Sequence, residues 1–488
     1  MTATPIAETS IDSLGLAWIR LLRRFFPLIA LLAATAALIL LLNHPDRLMV
    51  YLAAVVPLVL ILALETQRRV PALPIFPFYV LLQSLSFVSP LFAPEITADR
   101  RVLITPALLN SCAPPLLLWL GALWLGWRFL PAGLGGLRQA QPLTVALRNP
   151  GFLPHWALAL AAGLQLALLS PYYWQLPGTL SAGLLTPIRT LSSLAAMFAT
   201  FTGVYAWVQG QLPRKTIWLL LFSIPLFIAL RSLLLSSLQG IIFAALLALW
   251  LGRSRSALPL TLVGLLLISF LNAGKASMRD LYWEQGRELP ANPVVLLQEW
   301  TAASLADLRQ PDEESSANLF TDRFNNLQNL LYVQQQLRSG VSPLGGDSIA
   351  VIPRVLVPRI FNPDKVRSQE GQVILNLHFG RQSSVADTRT TYIAWGFLAE
   401  GVGNFGSTLG PLLMGVGTGA LLRLSENAGR HQLILSAPGL FSLVMFVFWL
   451  TTYEMAASTF AAAALQILVL VSFLGWWFGR GRPRQRLA

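Results

Sequence analysis

Stretches of roughly 20 mostly apolar residues, the length a helix needs to cross the hydrocarbon of a bilayer, recur along this sequence. They fall near 25–43, 48–65, 73–92, 104–126, 152–170, 188–209, 216–231, 236–252, 257–274, 405–422, 432–451 and 456–478. Several contain Pro or Gly, which membrane helices tolerate better than soluble ones. Only 12% of the 488 residues are charged and 55% are hydrophobic. That is about half the charge density of a soluble domain, so much of the surface faces something other than water. The expected fold is an all-α polytopic membrane protein of about twelve transmembrane helices. The 216–252 region can also be counted differently, because each half is short and Arg231 sits between them.

The distribution of charge gives an orientation. With the N-terminus in the cytoplasm, the short inner segments hold most of the cations. Among them are Arg20, Arg23, Arg24, Arg68, Arg69, Arg128, Arg214, Lys215, Arg253, Arg255, Arg423 and Arg430. The short outer turns hold only Arg47, Arg100, Arg101, Arg189 and Arg231. That asymmetry is the positive-inside rule. It puts both termini in the cytoplasm and divides the chain into helices 1–9 (1–274), an extracytoplasmic loop (275–404) and helices 10–12 (405–488). The first apolar run follows an Arg cluster and is long enough to span, so it is expected to be an uncleaved first helix.

The net charge of +13 then has a plain source. The outer loop is nearly neutral, and the excess lies on the cytoplasmic face as topology signals and contacts to anionic lipid. Nucleic acid is not an expected partner, because the basic segments lack interleaved aromatics. The single cysteine, Cys112, lies inside the fourth stretch. It permits no intramolecular disulfide and reads as a buried, inert thiol. No internal repeat stands out, so nothing favours an inverted-repeat transporter.

A connector as long as 275–404 is expected to carry function or structure of its own. Residues 293–309 and 318–339 read as amphipathic helices, the second ending near Gly340. Stepping about 100° per residue, Leu319, Phe320, Phe324, Leu327, Leu330, Leu331 and Leu337 share an arc of roughly 140°. Arg323 and Gln334 fall in the same arc. A guanidinium there either reaches solvent, pairs with a carboxylate, or points into an anion site. The following run, VSPLGGDSIAVIPRVLVPRIFNPDKVRSQEG, sets Arg354, Arg359, Lys365 and Arg367 among prolines and apolar residues. Proline restricts the backbone, so short rigid turns would present these cations as a preorganised anion site. Glu400 is an acid flanked by apolar residues close to the membrane, a functional candidate by default. The plain alternative is a carboxylate paired with a loop arginine.

The run IPRVLVPRIFNPDK, then TRTTY and AEGVGNFG, resembles the Wzy-type bacterial polysaccharide polymerases, the oligosaccharide repeat-unit polymerases. Glu400, Asn404, Phe405 and Gly406 keep the spacing of that family's acidic Asn-Phe-Gly run, with Ala399 where the family has Gly. Phe361, Asn362 and Pro363 stand where it often has Trp-Pro. Arg231, beside serines, resembles an arginine that often opens a family helix on the outer side. The motif likeness covers about 350–410, and the likeness in topology nearly the whole chain.

The resemblance implies a GT-C-like glycosyltransferase of the bacterial cytoplasmic membrane. The donor would be a glycan on a polyprenyl (undecaprenyl) pyrophosphate, and the acceptor a sugar hydroxyl on another lipid-linked repeat unit. A chain-length regulator and a flippase of the same pathway would be partners. Pyrophosphate is a good leaving group whose charge must be bound, and guanidinium forks suit phosphate oxygens. Arg231, Arg323, Arg354, Arg359, Lys365, Arg389 and Asn404 are the candidate pyrophosphate or glycan ligands. No Asp-x-Asp or metal-ligand spacing appears, and no cofactor or metal is expected. The acceptor hydroxyl needs a base. The candidates are Glu400, Asp387 and His378, with Glu400 first because apolar surroundings suit it to proton transfer. The membrane helices would offer a lateral groove for the prenyl chain. An O-antigen ligase-type transferase shares these features. A transporter or flippase would instead show charges along a membrane pathway, whereas the spans here are nearly free of them.

Overall fold

The computed structural model describes residues 10–68, 72–93, 96–97, 101–129, 155–164, 182–213, 235–251, 257–285, 287, 290, 292–309, 325–358, 361–362, 364–390 and 393–479. Among them the chain is all-helical. The main helices are α1 (Ile11–Asn43), α2 (Leu48–Thr66), α3 (Ile75–Val88), α4 (Pro106–Phe129), α5 (Ala182–Val208), α6 (Leu235–Leu251) and α7 (Ala257–Ala273). They continue as α8 (Pro293–Arg309), α9 (Leu327–Arg338), α10 (Glu370–His378), α11 (Val385–Thr390), α12 (Gly396–Gly429), α13 (Ala437–Thr451) and α14 (Ala457–Gly479). Among the described residues, six helical segments are long and apolar enough to cross a membrane: Ile11–Asn43, Pro45–Thr66, Ile75–Phe92, Pro106–Phe129, Leu191–Val208 and Gly396–Gly429. Shorter apolar helices lie at His155–Leu164, Gly240–Trp250, Pro259–Ala273, Ala437–Thr451 and Ala457–Phe473. Every expected apolar stretch falls on one of these except 216–231, which lies outside the described residues. The architecture is that of a multi-pass membrane protein.

Helix α1 shows how a span is made and placed. The Ser10 hydroxyl caps its start by accepting from Ser13 N at 3.3 Å. Ile11 N donates to Gln432 O at 2.9 Å, and Asp12 accepts from both the backbone and the ring of His431. The helix is thereby tied to the turn that follows α12. Its middle leaves Leu28, Leu31 and Leu32 exposed, as a peripheral helix facing lipid would.

The bundle centre is the contact between α4 and α12. Lipid tails are as apolar as leucine, so helices in a membrane associate by close packing, and small residues permit it. A Cβ at Gly415 would meet Trp119 O at 2.8 Å, and one at Gly419 would meet Leu123 O at 2.2 Å. In return, a Cβ at Gly126 would meet Val416 O at 2.2 Å. The contacts Trp119–Gly415 and Leu123–Gly419, followed by Trp127–Glu426, rise together along both helices, so the helices run in the same direction.

Helix α12 is not one rod. Gly406 has φ 79° and ψ 176°, a region open to little besides glycine. The space around it is free, so the backbone conformation, not crowding, demands glycine. Beyond the break the chain folds back. A Cβ on Gly410 would lie 2.1 Å from Gly401 O, far closer than a straight helix allows across that separation.

Two expected boundaries move. The span expected from 405 begins instead at Gly396, because Phe397, Leu398, Ala399 and Val402 are buried in the bundle. The expected 318–339 helix is described only as Leu327–Arg338. Leu319, Phe320, Arg323 and Phe324 lie outside the described residues. The 293–309 helix stands where expected.

Candidate functional site

The segment between α9 and α12 does not float above the bundle. Its first part docks on the end of the short half-helix 396–405. Leu344 N donates to Gly403 O at 3.0 Å and Gly345 N to Asn404 O at 2.8 Å. These carbonyls lost their helical partners at the Gly406 break, and the loop satisfies them. Two helical turns follow, Asp347–Ala350 and Ile352–Leu356. Val351 and Val355 are buried against Ala462 of α14, while Arg354 is exposed. The turn Ile352–Leu356 thus buries Val355 and leaves Arg354 outside.

Glu400 is wholly buried and both carboxylate oxygens are used. Oε1 accepts from Ser348 Oγ at 2.8 Å and Oε2 from Ala457 N at 2.6 Å. Asn404 Nδ2 donates to Ser348 Oγ and to Glu400 O, each at 2.8 Å. Ala457 is the first residue of α14, preceded by Ala456, which has no side-chain acceptor to cap it. Glu400 provides that cap from another helix, where the partial positive charge of a helix start favours an anion. The hydroxyls of Ser458 and Thr459 both donate to Ser368 O, at 2.9 and 3.2 Å. The start of α14 is therefore the post to which both Glu400 and the cation-bearing segment are fastened. None of these contacts is an arginine, so the alternative pairing of Glu400 with a loop arginine is not what the fold does.

His378 ends α10 and is exposed. Its Nε2 lies 2.7 Å from Ser342 O. A carbonyl only accepts, so Nε2 carries a proton, and in the neutral form of the ring this tautomer leaves Nδ1 as the acceptor. Gly380, with φ 68°, reverses the chain after α10. Gly380 N then donates to Leu377 O and Arg381 N to Asn376 O, the paired bonds of a left-handed helix cap.

That turn drives Arg381 inward, to 7% exposure, where Nη1 donates to Asn329 Oδ1 at 2.8 Å. Its guanidinium lies over Tyr332 and Trp395, at 5.1 and 5.6 Å from the ring centroids. Arg381 was not among the candidates. A Gly-Arg pair after a helix carries no distinctive signal, and only the fold buries it.

Asp387 has a structural task. Ser384 is the N-cap of α11 and Asp387 its third residue. Asp387 N donates to Ser384 Oγ, while Asp387 Oδ2 accepts from Ser384 N and Ser383 Oγ. This is a capping box. The bond from Ser383, with that from Ser384, holds the Asp387 carboxyl below the usual range.

Lys365 is half-buried, and Arg389 lies in α11. Arg231, Arg323 and Arg359 lie outside the described residues. Among the described residues no group of three or more His, Cys, Asp or Glu is placed to hold a metal ion. Cys112 is buried, as expected.

The fold also brings together two acids that sequence spacing does not single out. Glu65 ends α2 at 4% exposure and Glu426 lies fully buried near the end of α12. A glutamate beside Arg-rich helix ends looks like ordinary interfacial charge until the helices converge. A separate apolar groove of about 300 Å³ lies between α1, α3, α6 and α13, lined by Trp18, Phe78, Leu82, Leu246 and Leu450 among others.

Comparison with protein-family models, curated proteins and solved structures finds no match to this chain.

Proposed function

We propose that this protein is a membrane glycosyltransferase that joins polyprenyl-pyrophosphate-linked oligosaccharide repeat units, as its resemblance to the Wzy-type polymerases implies. The observation that supports this most is the anchoring of the described turns between α9 and α12. Glu400 and Asn404 hold Ser348, the start of α14 holds Ser368, and His378 bonds to Ser342 O, so the turns that carry Arg354 and His378 are anchored. Preorganised charge is what stabilises a departing pyrophosphate.

In the reaction, the acceptor hydroxyl oxygen attacks the anomeric carbon of the donor sugar. The bond from that carbon to the pyrophosphate oxygen breaks, and the electron pair leaves with the lipid pyrophosphate. The hydroxyl proton passes to a base. His378 is the accessible one, with Nδ1 as acceptor. Glu400 is sealed from solvent in this conformation and acts as a positioning residue through Ser348. Arg354 binds the leaving group's oxygens. The groove between α1, α3, α6 and α13 is apolar enough for a prenyl chain.

The test is the profile of lipid-linked glycans in the native cell, with the gene deleted and with Arg354→Ala or His378→Gln in its place. Loss of the polymer ladder, with single repeat units accumulating on the outer leaflet, is the expected result. Long lipid-linked chains piling up would make the protein a ligase. Repeats trapped on the inner leaflet would make it a flippase.

A further inference from the structure

At the other end of α12, about 30 Å of helix beyond the Gly406 break, the ends of α2, α4 and α12 converge on a cleft of about 390 Å³. Arg68, Arg128, Arg423 and Arg430 line it, with Glu65 and Asn427. Positive-inside signalling accounts for arginines at helix ends, but it does not require them to converge on one cavity or to be desolvated. Here the Arg68 side chain is only 15% exposed and that of Arg423 23%.

The carboxylates nearby are already occupied. Glu426 Oε1 accepts from Phe76 N at 2.9 Å, and Oε2 accepts from Trp127 Nε1 at 3.0 Å and from Arg68 Nη2 at 3.4 Å. Arg68 also donates to both oxygens of Glu65, at 3.2 and 3.3 Å. Arg68 thus bridges the two acids. Arg423 reaches Glu426 only at 4.0 Å, beyond hydrogen-bond distance. Among the described residues, Arg128 and Arg430 pair with no carboxylate. Among the described residues, four guanidiniums and two carboxyl groups thus gather at this cleft, and Arg128, exposed and over the Phe129 ring, and Arg430 are the two guanidiniums without a carboxylate partner.

A second observation is independent of charge. Asn427 is 2% exposed and lines the cleft, yet neither its Nδ2 nor its Oδ1 has a hydrogen-bond partner. Arg430 Nε is likewise buried without one. Unmet buried donors are costly, and native structures keep few of them without a reason. An amide donor among spare guanidiniums matches an oxyanion with several acceptor oxygens.

We propose that this cleft binds a phosphate-bearing anion, either an anionic lipid headgroup entering from the bilayer or a soluble phosphate compound. Arg128 and Arg430 would take its oxygens in bidentate fashion, Asn427 Nδ2 would donate to a third, and Trp124 would wall the side. The site is separate from the Glu400 network and does not depend on the transfer reaction proposed above.

The test uses the full-length protein in neutral detergent, followed by thermal unfolding. One arm adds inorganic pyrophosphate. The other mixes in dioleoyl phosphatidylglycerol, with dioleoyl phosphatidylcholine as the zwitterionic control. A rise in the midpoint with pyrophosphate alone assigns a soluble anion, and a rise with phosphatidylglycerol alone assigns a lipid headgroup. The Arg128→Gln/Arg430→Gln protein is expected to need at least about tenfold more of the active probe for the same rise, whereas Arg24→Gln, a basic residue elsewhere, behaves as wild type. Asn427→Asp is the second variant. It supplies a carboxylate to the spare guanidiniums, so its midpoint without probe is expected to rise and its response to the probe to vanish. No rise with either probe in the wild type, or an equal rise in all variants, overturns the proposal.

Discussion

Removing the Glu400 carboxylate leaves the Ala457 amide and the Ser348 hydroxyl buried without an acceptor. Each such orphan costs about 1–3 kcal/mol, so Glu400→Ala is expected to lose roughly 2–4 kcal/mol and to unfold at lower temperature in detergent. Glu400→Gln keeps an acceptor for Ala457 and should keep most of the stability. A Glu400→Ala protein as stable as wild type would remove the capping account. Asp387 is a milder case. Its folded-state carboxyl ionises below the usual range, held there by Ser383 and Ser384. Its contribution is therefore complete above the ordinary carboxylate range and fades as pH falls through the folded value. Amide exchange at 384–390, corrected for the intrinsic rate, should quicken as pH drops from 6 to 3 in about that window, and in Asp387→Ala at any pH. Glu400 and Asn404 were legible in the sequence as unusual residues in a resembling motif. Their jobs were not, because Ser348 and Ala457 come from remote parts of the chain and a carboxylate's partner cannot be read from its neighbours.

Among the elements, the apolar stretches could be located from hydropathy alone, since length and composition decide whether a helix suits a bilayer. What hydropathy could not show is the break in α12. The sequence reads as one apolar span from 405, and nothing in AEGVGNFGSTLG says that Gly406 takes a conformation closed to other residues while Gly401 and Gly410 touch. Gly406→Ala is expected to cost about 1–3 kcal/mol through backbone strain alone, since a methyl group there meets nothing. The half-helix 396–405 carries Glu400 and Asn404, so the same change should disturb the docking of 344–345 and expose that segment to protease. Gly419→Leu tests the other half of α12 by a different mechanism. Its side chain would press on the Leu123 carbonyl and the Trp127 amide, at about 1–3 kcal/mol or more. Lowered yield of folded protein, measured by size-exclusion profile after extraction, is the expected readout. A normal profile would mean α4 and α12 can part without loss.

The molecule as a whole has two ends, and its helix directions relate them. Because α4 and the stretch beyond Gly406 run in the same direction, an odd number of membrane crossings must separate them. The apolar stretches near 152–170, 188–209, 216–231, 236–252 and 257–274 make five, which agrees in parity. Parallel helices also bring their far ends together, which is why Arg128 and Arg423 meet Arg68 in one cleft. The cations counted one by one as topology signals are thus neighbours in space, a fact that no count along the sequence contains. If the cleft faces the cytoplasm, then Glu400, His378 and Arg354 face outward, where finished lipid-linked repeat units would be joined. Single-cysteine reporters decide this, since buried Cys112 should give little background. Ser339→Cys, exposed just after α9, should react with a membrane-impermeant maleimide in intact cells. Arg20→Cys, exposed near the start of α1, should react only after the membrane is opened. The reverse pattern would turn the molecule over, placing the anchored segment in the cytoplasm, where a transferase acting on exported repeat units has nothing to join.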